Sequence, residues 1–360
     1  MEHRASSQPT GQPTGQPTVA DVARAAGVSR QTVSNVFHAP ERVREDTRAR
    51  VEAAIAALGY RPNRLAQSLR AQASRMIGYR IEPMHPSSLA SIHDRFLHAL
   101  ADAGREADHH LLLFTADDPE TEVNACVTLY RTGAVDGFVI YGIQTDDARP
   151  PALARNGIPF AAFGRTGADL THPWVDVDNE AGTASAVEHL VARGHRRIGF
   201  VGYPEGAAVG DRRATGWQRA LDKHGLLADC IDLDLRGEDE VANGVRLGGA
   251  LLEHATPPTA IVAATDTLAV GVLQAIRDRG QIPGREVAVV GFDDTPTAAA
   301  LDLSSVRQPI EAVARAMVRA LLPHLGAART AESAERTGQL LLPALVVRAS
   351  SAGHAPSSRP

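Results

Sequence analysis

The chain has 360 residues, enough for two or three domains, and its 44% hydrophobic and 22% charged residues are typical of a globular protein. Its formal net charge of −5 argues against a nucleic-acid binder, but residues 1–70 contain 10 arginines and 6 acidic residues, whereas the remainder contains 27 basic and 36 acidic residues. A basic N-terminal segment on an acidic body fits contact with phosphates by one domain only.

The cysteines and the apolar segments bear on the cellular location. Cys126 and Cys230 lie far apart with no CxxC pair or histidine partner nearby, so they predict a reducing compartment and neither a disulfide framework nor a zinc site. No apolar run approaches the ~20 residues of a membrane span, and the N-terminus lacks an apolar secretion signal. We therefore expect a cytoplasmic protein that binds no membrane, metal or cofactor.

Residues 1–17 are dominated by a Q-P-T repeat. Proline at every fourth residue forbids a helix, and nothing in this segment can be buried, so we expect a disordered tail with partial polyproline II structure. A peptide-ligand role and a true start codon further downstream are the alternatives.

Residues 18–38 predict two short helices joined by a tight turn. Thr18 caps the first helix, Asp21 follows three residues later, and Gly27 ends the helix in a left-handed conformation. Ser29 caps the second helix. Its predicted buried face comprises Val33, Val36 and Phe37, and its exposed polar face comprises Arg30, Gln31, Ser34 and Asn35. This is the helix-turn-helix pattern, although a helical hairpin in a small bundle would give the same turn.

A third helix follows, with Val51, Ala54, Ile55 and Leu58 on one face and Gly59 at its end. It completes a minimal three-helix domain over residues 18–62. Residues 63–74 form a linker that could contain one short helix at residues 63–70. Such a helix is too short to be stable alone in water, so it needs another surface to fold on.

Residues 75–348 alternate between apolar strand-like runs and amphipathic helical runs. The predicted strands are residues 76–81, 110–114, 137–141, 159–163, 197–202, 231–235, 260–264 and 287–292. The predicted helices are residues 90–103, 120–132, 179–193, 209–224, 240–253, 267–279 and 310–322. A last strand-like run covers residues 340–347, and residues 349–360 are small and polar, as in a frayed tail.

This alternation predicts an α/β structure with parallel sheets covered on both faces. A single sheet of so many strands would be unusual, so we predict two doubly wound parallel-sheet subdomains with a cleft between them. The chain is expected to cross between them near residues 176–179, 305–309 and 325–338. Ligands of such folds bind beyond the carboxyl ends of the strands.

Successive segments resemble the lactose-repressor (LacI/GalR) family of bacterial transcription regulators. Two of them are T-V-A-D-V-A-R-A-A-G-V-S-R-Q-T-V-S-N-V at residues 18–36 and T-R-A-R-V-E-A-A-I-A-A-L-G-Y-R-P-N-R-L-A-Q-S-L at residues 47–69. The others, in the family's order, are V-D-V-D-N-E-A-G, V-E-H-L-V-A-R-G-H-R-R-I-G-F-V-G, R-A-T-G-W, A-T-D-T-L-A-V-G and V-V-G-F-D-D. The resemblance implies an all-α helix-turn-helix headpiece followed by a periplasmic-binding-protein-like core for effector binding and dimerisation.

The resemblance implies that the second helix lies in the major groove of double-stranded operator DNA. Base contacts then fall on Arg30, Gln31 and Asn35, because arginine pairs bidentately with guanine, and glutamine and asparagine pair with adenine. Phosphate and backbone contacts fall on Ser29, Thr32 and Ser34. Simple capping is the alternative role for each serine.

Residues 63–70 resemble the family's hinge helix, which folds only on DNA. Two such helices, one from each subunit, would enter the minor groove at the operator centre. The implied contacts are Asn63, Arg64, Ala66 and Leu69, with Leu69 as the wedge that parts a base step. The alternative is that Leu69 packs on the core.

The resemblance also implies a small-molecule effector, a sugar or sugar derivative, in the cleft of the core. Its contacts map onto Arg213 and Asp293, with Asp266 where a strand meets a helix, and onto Tyr141, Arg165 and Gln308 at strand ends. Guanidinium and carboxylate groups suit vicinal hydroxyls, because each can exchange two hydrogen bonds with a diol. A helix cap is the alternative for Asp266, and an ion pair with Asp211 or Asp294 is the alternative for Arg213.

No motif supports catalysis. The chain has no G-x-x-x-x-G-K, G-x-S-x-G or H-E-x-x-H motif, and the calcium-loop-like start at Asp176 has Val187 where a glutamate is needed. We predict a homodimeric, ligand-responsive repressor that binds a pseudo-palindromic operator and is not an enzyme. A co-repressor-dependent regulator or an activator that responds to a non-sugar metabolite is the alternative, and the headpiece opposes a solute-binding protein.

Overall fold

In a computed structural model of the chain, the described residues are 17–60, 73–81, 92–165, 172–325 and 338–353. Nearly all of the N-terminal repeat and the predicted hinge helix, with Asn63, Arg64, Ala66 and Leu69, lie outside the described residues. The chain separates into two compact units, Met1–Gln72 and Ala73–Pro360.

The described residues 17–60 of the N-terminal unit form three helices: α1 at Val19–Ala26, α2 at Arg30–His38 and α3 at Glu45–Leu58, with a 3-10 turn at Pro40–Arg42. Asp21 accepts hydrogen bonds from the N–H and the hydroxyl of Thr18, at 2.9 and 2.7 Å, which fixes the start of α1. Gly27 ends α1 with a φ of 64°, a conformation that favours glycine.

The core of the N-terminal unit consists mainly of small side chains, including Val22, Val33 and Val51. Two residues predicted to be buried differ, because Phe37 and Leu58 are 38% and 37% exposed. Three short helices packed around valine and alanine leave little interior volume for larger side chains. Phe37 therefore lies at the rim, with its ring 6.4 Å from that of Tyr60.

The described part of the C-terminal unit contains two six-stranded sheets, which define a first and a second lobe. The strands of the first lobe are β1 Met76–Arg80, β2 His110–Phe114, β3 Gly137–Ile140, β4 Phe160–Phe163, β5 Trp174–Val177 and β11 Gly338–Leu341. They lie in the order β11-β5-β4-β3-β1-β2, and all pairings are parallel. The helices are α4 Ile92–Glu106, α5 Pro119–Arg131, α6 Arg149–Arg155 and α13 Ile310–Leu321, with a 3-10 turn at Leu322–His324.

The second lobe has the order β12-β10-β9-β8-β6-β7, and only the β10–β12 pairing is antiparallel among its described strands. Its strands are β6 Ile198–Gly202, β7 Asp234–Arg236, β8 Ala260–Ala263, β9 Ala288–Asp293, β10 Ser304–Arg307 and β12 Ala344–Val346. Its helices are α7 Asn179–Ala192, α8 Ala208–Lys223, α9 Leu227–Cys230, α10 Val241–Leu252, α11 Asp266–Asp278, α12 Pro296–Ala300 and α14 Ala349–Ala352. The predicted pair of parallel-sheet subdomains is confirmed.

The chain passes between the lobes at residue 178, at residues 308–309 and at residues 342–343. The last passage differs from the expected one at 325–338, because α13 and β11, on either side of that segment, both belong to the first lobe. The strand expected at 340–347 is two strands in different sheets. Leu342 and Pro343 separate them, and a proline cannot donate to a sheet ladder.

Two further segments differ from the predicted structure. The strand expected at 231–235 begins only at Asp234, because Cys230 and Leu233 are both buried and their spacing of three suits a 3-10 turn, Ile231–Leu233. The expected frayed tail is ordered over 349–353. Ser350 is buried there, where its hydroxyl accepts from the Ser304 N–H and donates to the Val289 carbonyl.

Candidate functional site

The exposed face of α2 carries side chains that can contact a partner. Ser29 caps the helix by accepting from the Thr32 N–H at 3.1 Å, and the two hydroxyls are 2.9 Å apart. Arg30 makes no hydrogen bond or ion pair with the other described residues of its unit and is exposed. The first turn of α2 contains no acidic residue, so its positive end is open to an anion.

Gln31 and Asn35 lie one turn apart on α2 and form a hydrogen-bonded pair. The Gln31 amide donates to Asn35 Oδ1 at 3.1 Å. The pair therefore keeps an amide oxygen on Gln31 and an amide nitrogen on Asn35 for a partner, and this acceptor and donor match the edge of adenine in the major groove. Of the six predicted contacts on α2, Ser29 and Thr32 are engaged in the helix cap, which was the alternative given for Ser29.

In the second lobe, Arg213, Asp293 and Gln308 come together from three separate segments. Gln308 donates to Asp293 Oδ1 at 2.6 Å, and Arg213 Nη2 lies 3.8 Å from the same oxygen. Arg213 also donates to Asn179 Oδ1 at 2.9 Å and to the Ala264 carbonyl, and its guanidinium stacks 3.7 Å above the Phe292 ring. These contacts hold a guanidinium and a carboxylate side by side beyond the carboxyl end of β9.

The alternative ion pairs of Arg213 are not formed. Asp294 instead pairs with Arg307 and Arg348, at 2.5 and 2.6 Å, and Asp211 lies 3.7 Å from Arg236. Arg213 lies instead against Asp293, and its contact with an effector stays a prediction.

Asp293 has an unusual backbone and an unusual acidity. Its φ is 113°, a region that strongly favours glycine, and such strain is concentrated at functional sites. Burial raises the pKa of its carboxyl to about 8, because desolvation and the nearby Asp266 charge outweigh the attraction of Arg213. The group is therefore mostly protonated at neutral pH and can donate as well as accept a hydrogen bond.

For Asp266 the predicted roles are an effector contact or, as the alternative, a helix cap. Its Oδ1 accepts from the Ser305 hydroxyl at 2.6 Å, and its Oδ2 accepts from the Thr295 N–H at 2.7 Å. The helix cap is Thr265, whose hydroxyl accepts from the Leu268 N–H at 3.1 Å. Asp266 thus ties β10 and the segment before α12 to the start of α11, and burial raises its pKa to about 6.

Sequence reasoning missed Asp239, which lies in the loop between β7 and α10. The Thr265 hydroxyl donates to it at 2.5 Å, and burial raises the pKa of its carboxyl while that hydrogen bond and Arg213 lower it. Burial and the charge of Asp239 also raise the pKa of Tyr203 well above its usual value. The G-E-D-E stretch after β7 was the available sequence clue.

On the first lobe, Tyr141 directly follows β3, and Arg165 follows β4 after one intervening residue, Gly164. The Tyr141 hydroxyl bonds to the His93 ring, and Tyr141 packs edge-on against Phe163 with ring centroids 5.8 Å apart. Arg165 lies 5.4 Å from the Trp174 ring centroid. The structure thus places an aromatic surface at the carboxyl ends of β3 and β4, on the same edge of the sheet.

Asp176 on β5 joins the two lobes. Its Oδ2 accepts from Arg165 Nε at 2.9 Å and from Arg212 Nη1 at 3.0 Å, and Arg212, on α8, also donates to the Arg165 carbonyl at 2.7 Å. Burial raises the pKa of Asp176, while the two arginines lower it. Neither Asp176 nor Arg212 was predicted as a functional residue.

Among the described residues, no group of three or more histidine, cysteine, aspartate or glutamate side chains could hold a metal ion. No helix in the described ranges is long and apolar enough to span a membrane.

Comparison with known proteins adds independent findings. A family model described as "Bacterial regulatory proteins, lacI family" matches residues 18–63, and one described as "Periplasmic binding protein-like domain" matches residues 187–351. The "HTH-type transcriptional regulator AglR" of Rhizobium meliloti (strain 1021) is 32% identical over 347 residues, which cover 94% of this chain and 95% of that protein.

Two solved structures share the fold over most of their length. The Lac repressor dimer bound to operator and the anti-inducer ONPF has a TM-score of 0.76 and 28% identity, and the match covers 94% of this chain and 100% of the repressor chain. The transcriptional regulator CelR in complex with cellobiose has a TM-score of 0.69 and 29% identity, and the match covers 93% of this chain and 99% of the regulator.

Proposed function

The chain belongs to the LacI family of bacterial regulatory proteins, and we propose that α2 reads an operator while the cleft of the core binds a sugar that changes the affinity for DNA. It is a DNA-binding transcriptional regulator, as its curated relatives are. Repression is the role that fits the comparison with the lactose operon repressor. It acts in the cytoplasm, where the operator lies, and no catalytic step is assigned to it.

The single observation that carries the effector proposal is the cluster of Arg213, Asp293 and Gln308. A guanidinium, a protonatable carboxyl and an amide share one point beyond the carboxyl ends of β9 and β10. Vicinal hydroxyls of a sugar can exchange paired hydrogen bonds with such groups. The aromatic surface at Tyr141 and Phe163 offers the complementary apolar contact for a pyranose face.

We infer a homodimer, because the similar Lac repressor binds its operator as a dimer. Each headpiece then contacts one half of a pseudo-palindromic operator. Arg30, Gln31 and Asn35 supply base contacts, and Ser34 lies on the same face. Asn63, Arg64, Ala66 and Leu69 supply the minor-groove contacts of the hinge. A tetramer in a sizing measurement without DNA would contradict the dimer.

The test is DNA binding by fluorescence anisotropy, with palindromic sequences from the DNA that flanks the gene and with random duplexes of the same length. Cellobiose, maltose, lactose, raffinose and melibiose are added in turn. Release of the palindromic duplex by one sugar identifies an inducer, and tighter binding identifies a co-repressor. Equal affinity for palindromic and random duplexes under every condition would contradict the proposal.

A further inference from the structure

The core forms hydrogen bonds with Ser74 and Arg75, at the end of the linker from the headpiece. Ser74 donates to Asp136 Oδ1 with its N–H at 2.7 Å and with its hydroxyl at 2.9 Å, and the Arg75 N–H donates to Asp136 Oδ2 at 2.6 Å. Both carboxylate oxygens of Asp136 therefore accept hydrogen bonds, and the donors belong to two consecutive residues. Hydrogen bonds to a charged acceptor are the strong ones.

The backbone at this point is sharply bent. Arg75 has a φ of 54°, and its guanidinium pairs with Asp108, which has a φ of 57°. The Arg75 carbonyl accepts from the His110 N–H at 2.9 Å, and the Met76 carbonyl accepts from the Asp136 N–H at 2.9 Å. Non-glycine residues persist in such conformations only where surrounding contacts determine them. Asp136 supplies four of the contacts around this bend, three through its carboxylate and one through its N–H.

Strand β3 connects this point to the effector cleft. Asp136 directly precedes β3 and Tyr141 directly follows it, so five residue steps, about 17 Å of extended chain, separate the two. All four residues of β3 are buried, with Val139 in one apolar cluster and Phe138 and Ile140 in the other. A strand packed on both faces moves as a rigid element.

We propose that Asp136 anchors the linker to β3. A displacement of the first lobe caused by the effector then reaches the headpiece and is not absorbed by an unattached stretch of the linker. This inference rests on the proposed function. If residues 73–75 were released, the linker would gain up to ~10 Å of reach, at about 3.3 Å per residue. Effector-driven shifts within proteins are commonly on the order of 1–5 Å, so that slack would absorb them.

The experiment compares full-length Asp136→Asn with the wild type and with Asp118→Asn. Asparagine keeps one acceptor oxygen but turns an NH₂ group toward a backbone donor. Asp118 is a matched control, because it caps α5 in the same lobe by accepting from the Thr121 N–H at 2.7 Å and forms no hydrogen bond with the described residues 73–75. The measured quantity is the ratio of operator Kd values with and without the sugar that acts on the wild type.

We expect this ratio to fall at least about fivefold toward one in D136N and to stay within about twofold of the wild type in D118N. The Kd for the sugar, measured by calorimetry without DNA, stays within about twofold for all three proteins, because Asp136 does not line the cleft. By reciprocity, the difference in sugar affinity between free and operator-bound protein shrinks by the same factor in D136N. A wild-type ratio in D136N would overturn the inference.

A second measurement separates this inference from the proposed function. In hydrogen exchange, the Ser74 and Arg75 amides are expected to exchange at least about fivefold faster in D136N than in the wild type. Failure of every sugar to act on the wild type would count against the proposed effector, and unchanged amide exchange would overturn the anchor itself. If D136N does not fold, Ser74→Ala, which removes only the hydroxyl donor, should lower the ratio partially. An unchanged ratio in S74A would then overturn the inference.

Discussion

Asp293 makes stability depend on pH in a direction opposite to that of most carboxylates. The buried carboxyl holds its proton up to a pKa of about 8, whereas an unfolded aspartate loses its proton near its ordinary value of 3.8. Between these values the folded protein binds more protons than the unfolded chain, so stability falls as the pH rises. Complete titration of one group contributes up to about 1.4 kcal/mol per pH unit.

Asp293→Asn isolates this contribution, because asparagine matches the protonated acid in shape and cannot ionise. Below pH 8 the native carboxyl is mostly uncharged, so the substitution changes the field at Asp266 little. The stability of the wild type relative to D293N should therefore fall by about 2–3 kcal/mol between about pH 5.5 and about pH 7.5, at 1.4 kcal/mol per unit. The titrations of groups that do not interact with Asp293 cancel in this difference.

The assay is urea unfolding followed by tryptophan fluorescence in a Trp174→Phe background. Trp217, fully buried on α8, is then the single remaining tryptophan and reports on the lobe that contains Asp293. Asp118→Asn is the control, because hydrogen bonds from Thr121 lower the pKa of Asp118 and its titration lies below this range. A pH-independent difference between the wild type and D293N would refute the reasoning.

Three further outcomes are expected. Replacing Arg30, Gln31 and Asn35, the three proposed base contacts of α2, with alanine should weaken operator binding at least about tenfold, because each base contact contributes on the order of 1–3 kcal/mol. Binding to random DNA should stay nearly unchanged, and anisotropy titration of both duplexes checks this. Ser29→Ala should destabilise the N-terminal unit by about 1 kcal/mol through the lost cap, seen in thermal unfolding. Asp176→Asn should leave Arg165 and Arg212 facing each other and destabilise the core by about 1–3 kcal/mol, seen in urea unfolding.

The sequence predicts the parallel architecture because most strands are continuous apolar runs, as in β8 and β9. It misses β5 and β10 because each buries polar side chains: Asp176 in β5, and Ser304 and Ser305 in β10. A hydropathy pattern counts such residues as exposed. Their burial depends on partners that are distant in the chain, such as Arg212 and Ser350, and no local pattern reveals them.

The candidate site shows the same limit at the level of single side chains. The family resemblance, and not a strand end, points to Arg213, which lies on α8. The end of a parallel strand brings Asp293 and Gln308 together, because fold topology gathers strand ends at one edge of a sheet. A position near the end of a strand does not predict which hydrogen bonds each carboxylate forms. Asp266 comes shortly after β8, and Asp293 is the last residue of β9. The Asp266 carboxylate accepts hydrogen bonds from Ser305 and Thr295, whereas the Asp293 carboxylate accepts from Gln308.

Two contacts of the first lobe lie where effector binding can act on the linker. Asp176 binds Arg212 of the other lobe at one end of its sheet, and Asp136 holds the linker at the amino end of β3 in the same sheet. A sugar that reorients the lobes must rearrange or strengthen the shared Asp176 contact, and the rigid sheet conveys the movement to Ser74. Two substitutions therefore have separable effects: D176N shifts the equilibrium between lobe arrangements, whereas D136N lowers the response to it. A protein carrying both should show the ratio of operator affinities of D136N alone.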